Sequence, residues 1–180
     1  MNPDLPSVDV ALPEVRRLFT EAGVAFLLVG GVAVVHHGYA RTTEDVDVLV
    51  EAATADRLDP LLPTHGFERL SPTRLRHLPT GVRVDLLVAG ESMPGRHPVR
   101  YPSPIEAGGS VRDASVIDLK GLVSLKLHAH RHRDLADVVE LLKRIDEAHY
   151  IELEAATDNR LRPELSALRR DALEEASLEE

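Results

Sequence analysis

Cysteine does not occur in this 180-residue chain, and aromatic residues make up only 3% of it. The first absence excludes disulfides and thiolate metal sites, in keeping with a cytoplasmic protein. The second leaves the core to Leu, Val and Ala, since hydrophobic residues still make up 43% of the chain. Long apolar runs are lacking too. The longest uncharged stretch, Ala22 to Ala40, is interrupted by Gly30-Gly31 and contains His36 and His37, which argues against a membrane span. Residues 1–10 carry two Asp and two Pro with no basic start, so no signal peptide is expected. The length suits one main domain with a helical appendage.

The net charge of −9 is unevenly placed. Residues 134–180 carry fourteen acids against six bases, whereas residues 1–133 are nearly balanced. Between residues 69 and 112, seven arginines face only Asp85, Glu91 and Glu106. A locally basic middle could meet a nucleotide or an RNA backbone, or it could be scattered solubilising arginine. The overall acidity argues against a general nucleic-acid binder.

Val15, Leu18 and Phe19 fall at helical spacing after Pro13, predicting a first helix over 11–22 that ends near Gly23. Val24 to Val29 is an apolar run of strand length, followed by a short helix and a second strand. Ala53 to Leu62 reads as a third helix. Phe67–Leu70, Leu75–Leu78 and Val82–Val88 read as strands, broken at Ser71-Pro72 and Pro79-Thr80-Gly81. Gly90–Gly109 is expected to be irregular, with a possible short edge strand over His97–Tyr101. From Ile117 the apolar spacing becomes helical, in one segment through Leu127 and another from Leu135 to Ile145. Leu161–Leu178 is a charged amphipathic helix or a frayed extension. The expected fold is α/β of the α+β kind: a small mixed β-sheet flanked by helices, with a C-terminal helical region. No repeats or heptads are evident.

Chemistry concentrates between Val24 and Val50. Gly30-Gly31 turns the chain out of a strand into a short helix, and glycines at a helix start leave bare N–H groups suited to phosphate. Asp45 and Asp47 follow in an apolar strand, where residues two apart point to the same side. Paired carboxylates there oppose stability unless a cation lies between them. Hard-oxygen pairs of this kind hold Mg²⁺ against a triphosphate. Farther on, alternation puts Arg83 and Asp85 on one side of a strand and Val82, Val84 and Leu86 on the other. A carboxylate there needs a partner or a metal.

The Gly-Gly pair, short helix and Asp-x-Asp together resemble the nucleotidyltransferase superfamily. The form carried by Gly38, Arg41, Thr43, Asp45 and Asp47 is most similar to the AbiEii-type toxin branch. The resemblance covers residues 24–50 closely and 82–142 less closely. It implies a catalytic core over 1–112 and a helical region over 113–180. It also implies a nucleoside triphosphate as substrate and two Mg²⁺ ions, held by Asp45 and Asp47 with Asp85 completing the site that activates the attacking hydroxyl. Gly30 and Gly31 would seat the β/γ-phosphates, and Arg41 and Thr43 belong to the same nucleotide-binding motif. Later, Leu125-Lys-Leu-His-Ala-His-Arg-His-Arg-Asp-Leu-Ala-Asp137 is similar to the family's lysine followed by an Arg-x-Lys-Asp-x-x-Asp run, with Arg133 where lysine is usual. This implies that Lys126 contacts the triphosphate and that Asp134 and Asp137 match the family's acids. From the residues alone, Lys126 could as well be a snorkelling surface residue, and the two acids a solvated, helix-starting pair.

On this resemblance the acceptor is tRNA, a protein side chain or a small hydroxylated molecule, and an antitoxin protein is a possible partner. The chain is short for the branch, so a full C-terminal substrate domain is not expected. A small-molecule nucleotidyltransferase similar to the aminoglycoside-modifying group, and a non-catalytic binding module on the same fold, are the rival readings. His128, His130 and His132 diverge on a helix, with only His128 and His132 sharing a face, and are not expected to bind metal. With Arg131 and Arg133 they could touch phosphate.

Overall fold

A computed structural model describes residues 7–95, 99–108 and 115–179. Helix α1 (Val8–Glu21) buries Val8, Ala11, Val15, Leu18 and Phe19, a stripe at helical spacing. It begins at Val8 rather than at residue 11, because Val8 extends the stripe backwards. Pro13 lies on the exposed side, where water can satisfy the carbonyl that its missing N–H leaves over. Strand β1 (Phe26–Leu28), helix α2 (Gly30–His36) and strand β2 (Asp45–Val50) follow.

The predicted helix over 53–62 is instead a short helix α3 (Thr54–Leu58) running into a 3₁₀ turn at Asp59–Leu61. Pro60 lies in that turn and cannot supply the N–H an α-helix requires. Strands β3 (Phe67–Ser71), β4 (Arg74–His77) and β5 (Arg83–Val88) lie within one or two residues of expectation. With β1 and β2 they form a five-stranded sheet in the order β1-β2-β5-β4-β3. Only β2 and β5 run parallel, with Asp45 opposite Arg83 and Asp47 opposite Asp85. The outer edge of β1 is covered where Leu28 bonds Ser115 and Ile117.

Strand β6 (Ser92–Met93) pairs with β7 (Val99–Arg100). The expected edge strand over 97–101 thus shrinks to two described residues, and 97–98 lie outside them. The C-terminal region holds α4 (Leu119–Ala129), α5 (His132–Leu142), α6 (Glu147–Ala156) and α7 (Arg162–Glu179). Helix α6 was not expected. It buries only Tyr150 and Leu153, too few to show as a periodic stripe, although Asp146 caps it by accepting from the His149 amide.

Two hydrophobic clusters result. One joins the sheet, α1 and α2 with Leu122 and Leu141. The other packs Val123 and Leu127 of α4 against α5, α6 and α7. The expected boundary at 112–113 lies outside the described residues. No helix among them is long and apolar enough to cross a membrane.

Candidate active site

The turn between β1 and α2 packs directly against β2. Gly30 adopts φ +57, and a Cβ there would run into the carboxylate of Asp47. A Cβ at Gly31 would run into the Thr43 hydroxyl. Both glycines are therefore needed for close approach. The Val29 amide bonds the Asp47 carbonyl at 3.0 Å, and the Thr43 hydroxyl donates to the Asp45 carbonyl at 3.2 Å. Gly30→Ala is expected to cost about 2 kcal/mol or more, from strained backbone plus the displaced carboxylate. Urea unfolding tests this; a change under about 0.5 kcal/mol would remove the steric account.

Strand geometry turns Asp45, Asp47, Arg83 and Asp85 to one face, while Val46, Val48, Val84 and Leu86 are buried on the other. Asp47 is half-buried, and its carboxyl is pushed up to about 6 by burial first, then by the neighbouring charges of Asp45 and Asp85. Arg131 and Lys126 oppose the rise. Asp85 does not pair with Arg83. Its partner is Arg74, opposite it on β4, whose Nε donates at 2.6 Å. Arg83 stands 3.6 Å from Asp45 instead. These arginines hold the outer two carboxylates. Among the described residues, no group of three or more Asp, Glu, His or Cys is gathered closely enough to grip a metal ion. The donors nevertheless suit a hard divalent cation in kind and direction, since three carboxylates share one face and the middle one bears the charge of both neighbours.

Above this face opens a cleft of about 540 Å³, lined by Gly30, Asp47, Arg74, Asp85, Glu91, Tyr101, Lys126, Arg131 and Asp134 among others. Gly31, Arg41, Thr43 and Asp45 do not line it. Burial raises the Tyr101 phenol, and the charge of Asp47 adds to this.

Lys126 is no snorkelling surface residue. It is 5% exposed and donates to Asp137 at 2.6 Å and Asp134 at 3.2 Å. Asp134 and Asp137 are buried rather than solvated. Arg41 reaches Asp137 from the loop before β2, with Nε 2.8 Å from Oδ1 and Nη2 2.9 Å from Oδ2. Burial opposes ionisation of Asp134, but its hydrogen bond from Arg131 and the nearby Lys126 charge hold its carboxyl below the ordinary value. The two motifs, distant in sequence, are thus one ionic network.

His128 and His132 share no helix face, because the chain breaks between them. His130 ends α4 in the left-handed conformation, φ +54, and Arg131 is the extended residue before α5. His130 pairs with Glu164 at 2.5 Å. His36 is exposed, and His37 bonds the Ile117 carbonyl at 2.9 Å. Arg74, Glu91 and Tyr101 were not singled out from sequence. Alternation marks Arg74 and Arg76 as one face of β4, but only the register shows which acid they meet.

No protein-family model matches the chain, and no curated protein matches it. Among solved structures, it is similar to the crystal structure of ANT(2")-Ia in complex with adenylyl-2"-tobramycin. The identity is 13% and the TM-score 0.47, over 94% of this chain and 99% of that chain.

Proposed function

We propose that this cleft transfers a nucleotidyl group from a nucleoside triphosphate to a hydroxyl acceptor, using Mg²⁺. The observation that carries this is the carboxylate face: Asp45, Asp47 and Asp85 side by side on parallel strands, with Asp47 raised to about 6 by burial and then by its two neighbours. Such an arrangement opposes folding and answers to a cation. Mg²⁺ when bound would offset phosphate charge and favour ionisation of the acceptor hydroxyl.

The chain's own residues do the rest. Asp45, Asp47 and Asp85 would hold the cation, and Gly30 lets the β1–α2 turn lie against Asp47. The wall from α4 and α5 brings positive charge opposite the acids, through Lys126 and Arg131. The acceptor oxygen bonds to the α-phosphorus as the bridging P–O bond to the β-phosphate breaks and pyrophosphate leaves. The acceptor's proton passes to one of the carboxylates.

The AbiEii-type assignment rests on the Gly38, Arg41, Thr43, Asp45 and Asp47 motif together with Lys126, Asp134 and Asp137. The Arg41–Asp137 pair supports reading these as one unit. On that assignment the acceptor is tRNA or protein, and an antitoxin protein is the partner to seek.

Thermal unfolding with each NTP, with Mg²⁺ and with both tests the reading. The correct pair together should stabilise the protein by about 3 kcal/mol at a hundredfold excess over Kd, more than either component does separately. That NTP, α-labelled, should then leave its label on total tRNA, lysate protein or a small hydroxylated compound. Absence of any shift with all four NTPs at saturating concentration would overturn it.

A further inference from the structure

The triphosphate of the proposed reaction would bring several negative charges into a cleft already holding Asp47, Asp85 and Asp134. Among the described residues, three cationic side chains line it: Arg74, Lys126 and Arg131. Each of them meets an acid, and they differ in how much of the side chain stays open to the cleft. Arg74 donates to Asp85 at 2.6 Å. Lys126 lies buried between Asp134 and Asp137. Arg131 meets Asp134 but differs in exposure, its side chain being 79% exposed at the cleft wall against 46% for Arg74 and 5% for Lys126.

We propose that Arg131 is the residue that meets the phosphates of the nucleoside triphosphate, while Lys126 serves to hold Asp134, the anchor of Arg131. This rests on the nucleotidyl-transfer reading of the cleft. The local backbone supports it. The left-handed turn at His130 ends α4, and Arg131 follows in extended conformation at the mouth of the cleft. Its Nε donates to Asp134 Oδ2 at 2.6 Å, while Nη2 stands at 3.4 Å from Oδ1. The inner edge of the guanidinium is thus fastened, and its outer donors can form the paired hydrogen bonds a phosphate accepts. Arg131 lines the same cleft as Asp47 and Tyr101. Arg133, by contrast, donates to the Thr42 carbonyl. Asp134 receives Lys126 on one oxygen and Arg131 on the other. It can therefore hold Arg131 without losing its own compensation.

Titration calorimetry of the whole chain in Mg²⁺, with inorganic tripolyphosphate and with each NTP, tests this. Wild type should bind tripolyphosphate, and Arg131→Met should weaken that binding at least about tenfold, as for loss of a charged hydrogen-bond partner. Arg131→Lys should recover part of the loss. Without ligand, Arg131→Met should unfold within about 2 °C of wild type, because the side chain is mostly exposed. If Arg131→Met bound tripolyphosphate as wild type does, the assignment of Arg131 would be wrong and the nucleotidyl-transfer reading would stand. If wild type bound neither tripolyphosphate nor any NTP, both would fall.

Discussion

Replacing Asp47 with asparagine should abolish nucleotidyl transfer, lowering the rate on the order of 10³-fold or more, and yet make the free protein more stable at pH 7.5. The carboxyl titrates at about 6 in the folded chain against an ordinary 3.8, through burial and then the charges of Asp45 and Asp85. Folding therefore takes up a proton between those values. The stabilisation is complete below about pH 4 and is lost as the pH rises through 6. At pH 7.5 an ionised Asp47 costs the fold about 2–3 kcal/mol. Asparagine has nearly the same shape beside Gly30 and cannot ionise. Urea unfolding should thus show Asp47→Asn gaining about 2 kcal/mol at pH 7.5 and little at pH 4. A variant that still transferred at the wild-type rate would remove Asp47 from the chemistry. Equal stability differences at both pH values would remove the electrostatic account.

Lys126→Met should act mainly on the fold. Its ammonium is what Asp134 and Asp137 share at the centre of the network. Removing one partner of a buried set leaves uncompensated charge, so the loss should be about 3–5 kcal/mol. Arg41 and Arg131 would still reach one acid each, which sets the lower end of that range. Adding Asp137→Asn to Lys126→Met should restore part of the stability, because the orphaned acid is then neutral. Equilibrium unfolding of the single and double variants checks this. A Lys126→Met protein within about 1 kcal/mol of wild type would show that the network does not depend on the lysine. The resemblance implied that this lysine touches the triphosphate. Its burial makes stability the first effect to measure, and any activity of the variant should be compared at equal folded fraction.

The strand–turn–helix–strand around Gly30 and the aspartates was legible in the sequence because each part has a local signature: an apolar run, a glycine pair, an alternating Asp-x-Asp. Strand alternation also placed Asp85 on the same side as Arg83. What it could not convey was pairing across strands. Arg83 and Arg74 look equivalent until register puts Arg74 opposite Asp85 and Arg83 opposite Asp45. The same holds for Arg41 and Asp137, 96 positions apart. Nothing local in a lysine among leucines distinguishes a snorkelling side chain from one meeting two buried carboxylates. The break at His130 was missed for another reason. A non-glycine residue in the left-handed conformation carries no strong local signal, and the three alternating histidines read as continuous helix.

The parallel pairing of β2 with β5 also bears on how the molecule assembles. The β3–β4 hairpin and the helices can form from contacts near in sequence, but β2 and β5 meet only after the chain between them has looped back. Pairings of that kind carry the larger loop-closure cost and tend to govern folding rate. Asp47 and Asp85 become neighbours in that same event, so their repulsion is added to the cost of closing the loop. A chain with its helices and its hairpin but without this pairing has its acids on separate segments. The carboxylate face is thereby tied to completion of the sheet, and a chain that has not yet paired β2 with β5 does not assemble it.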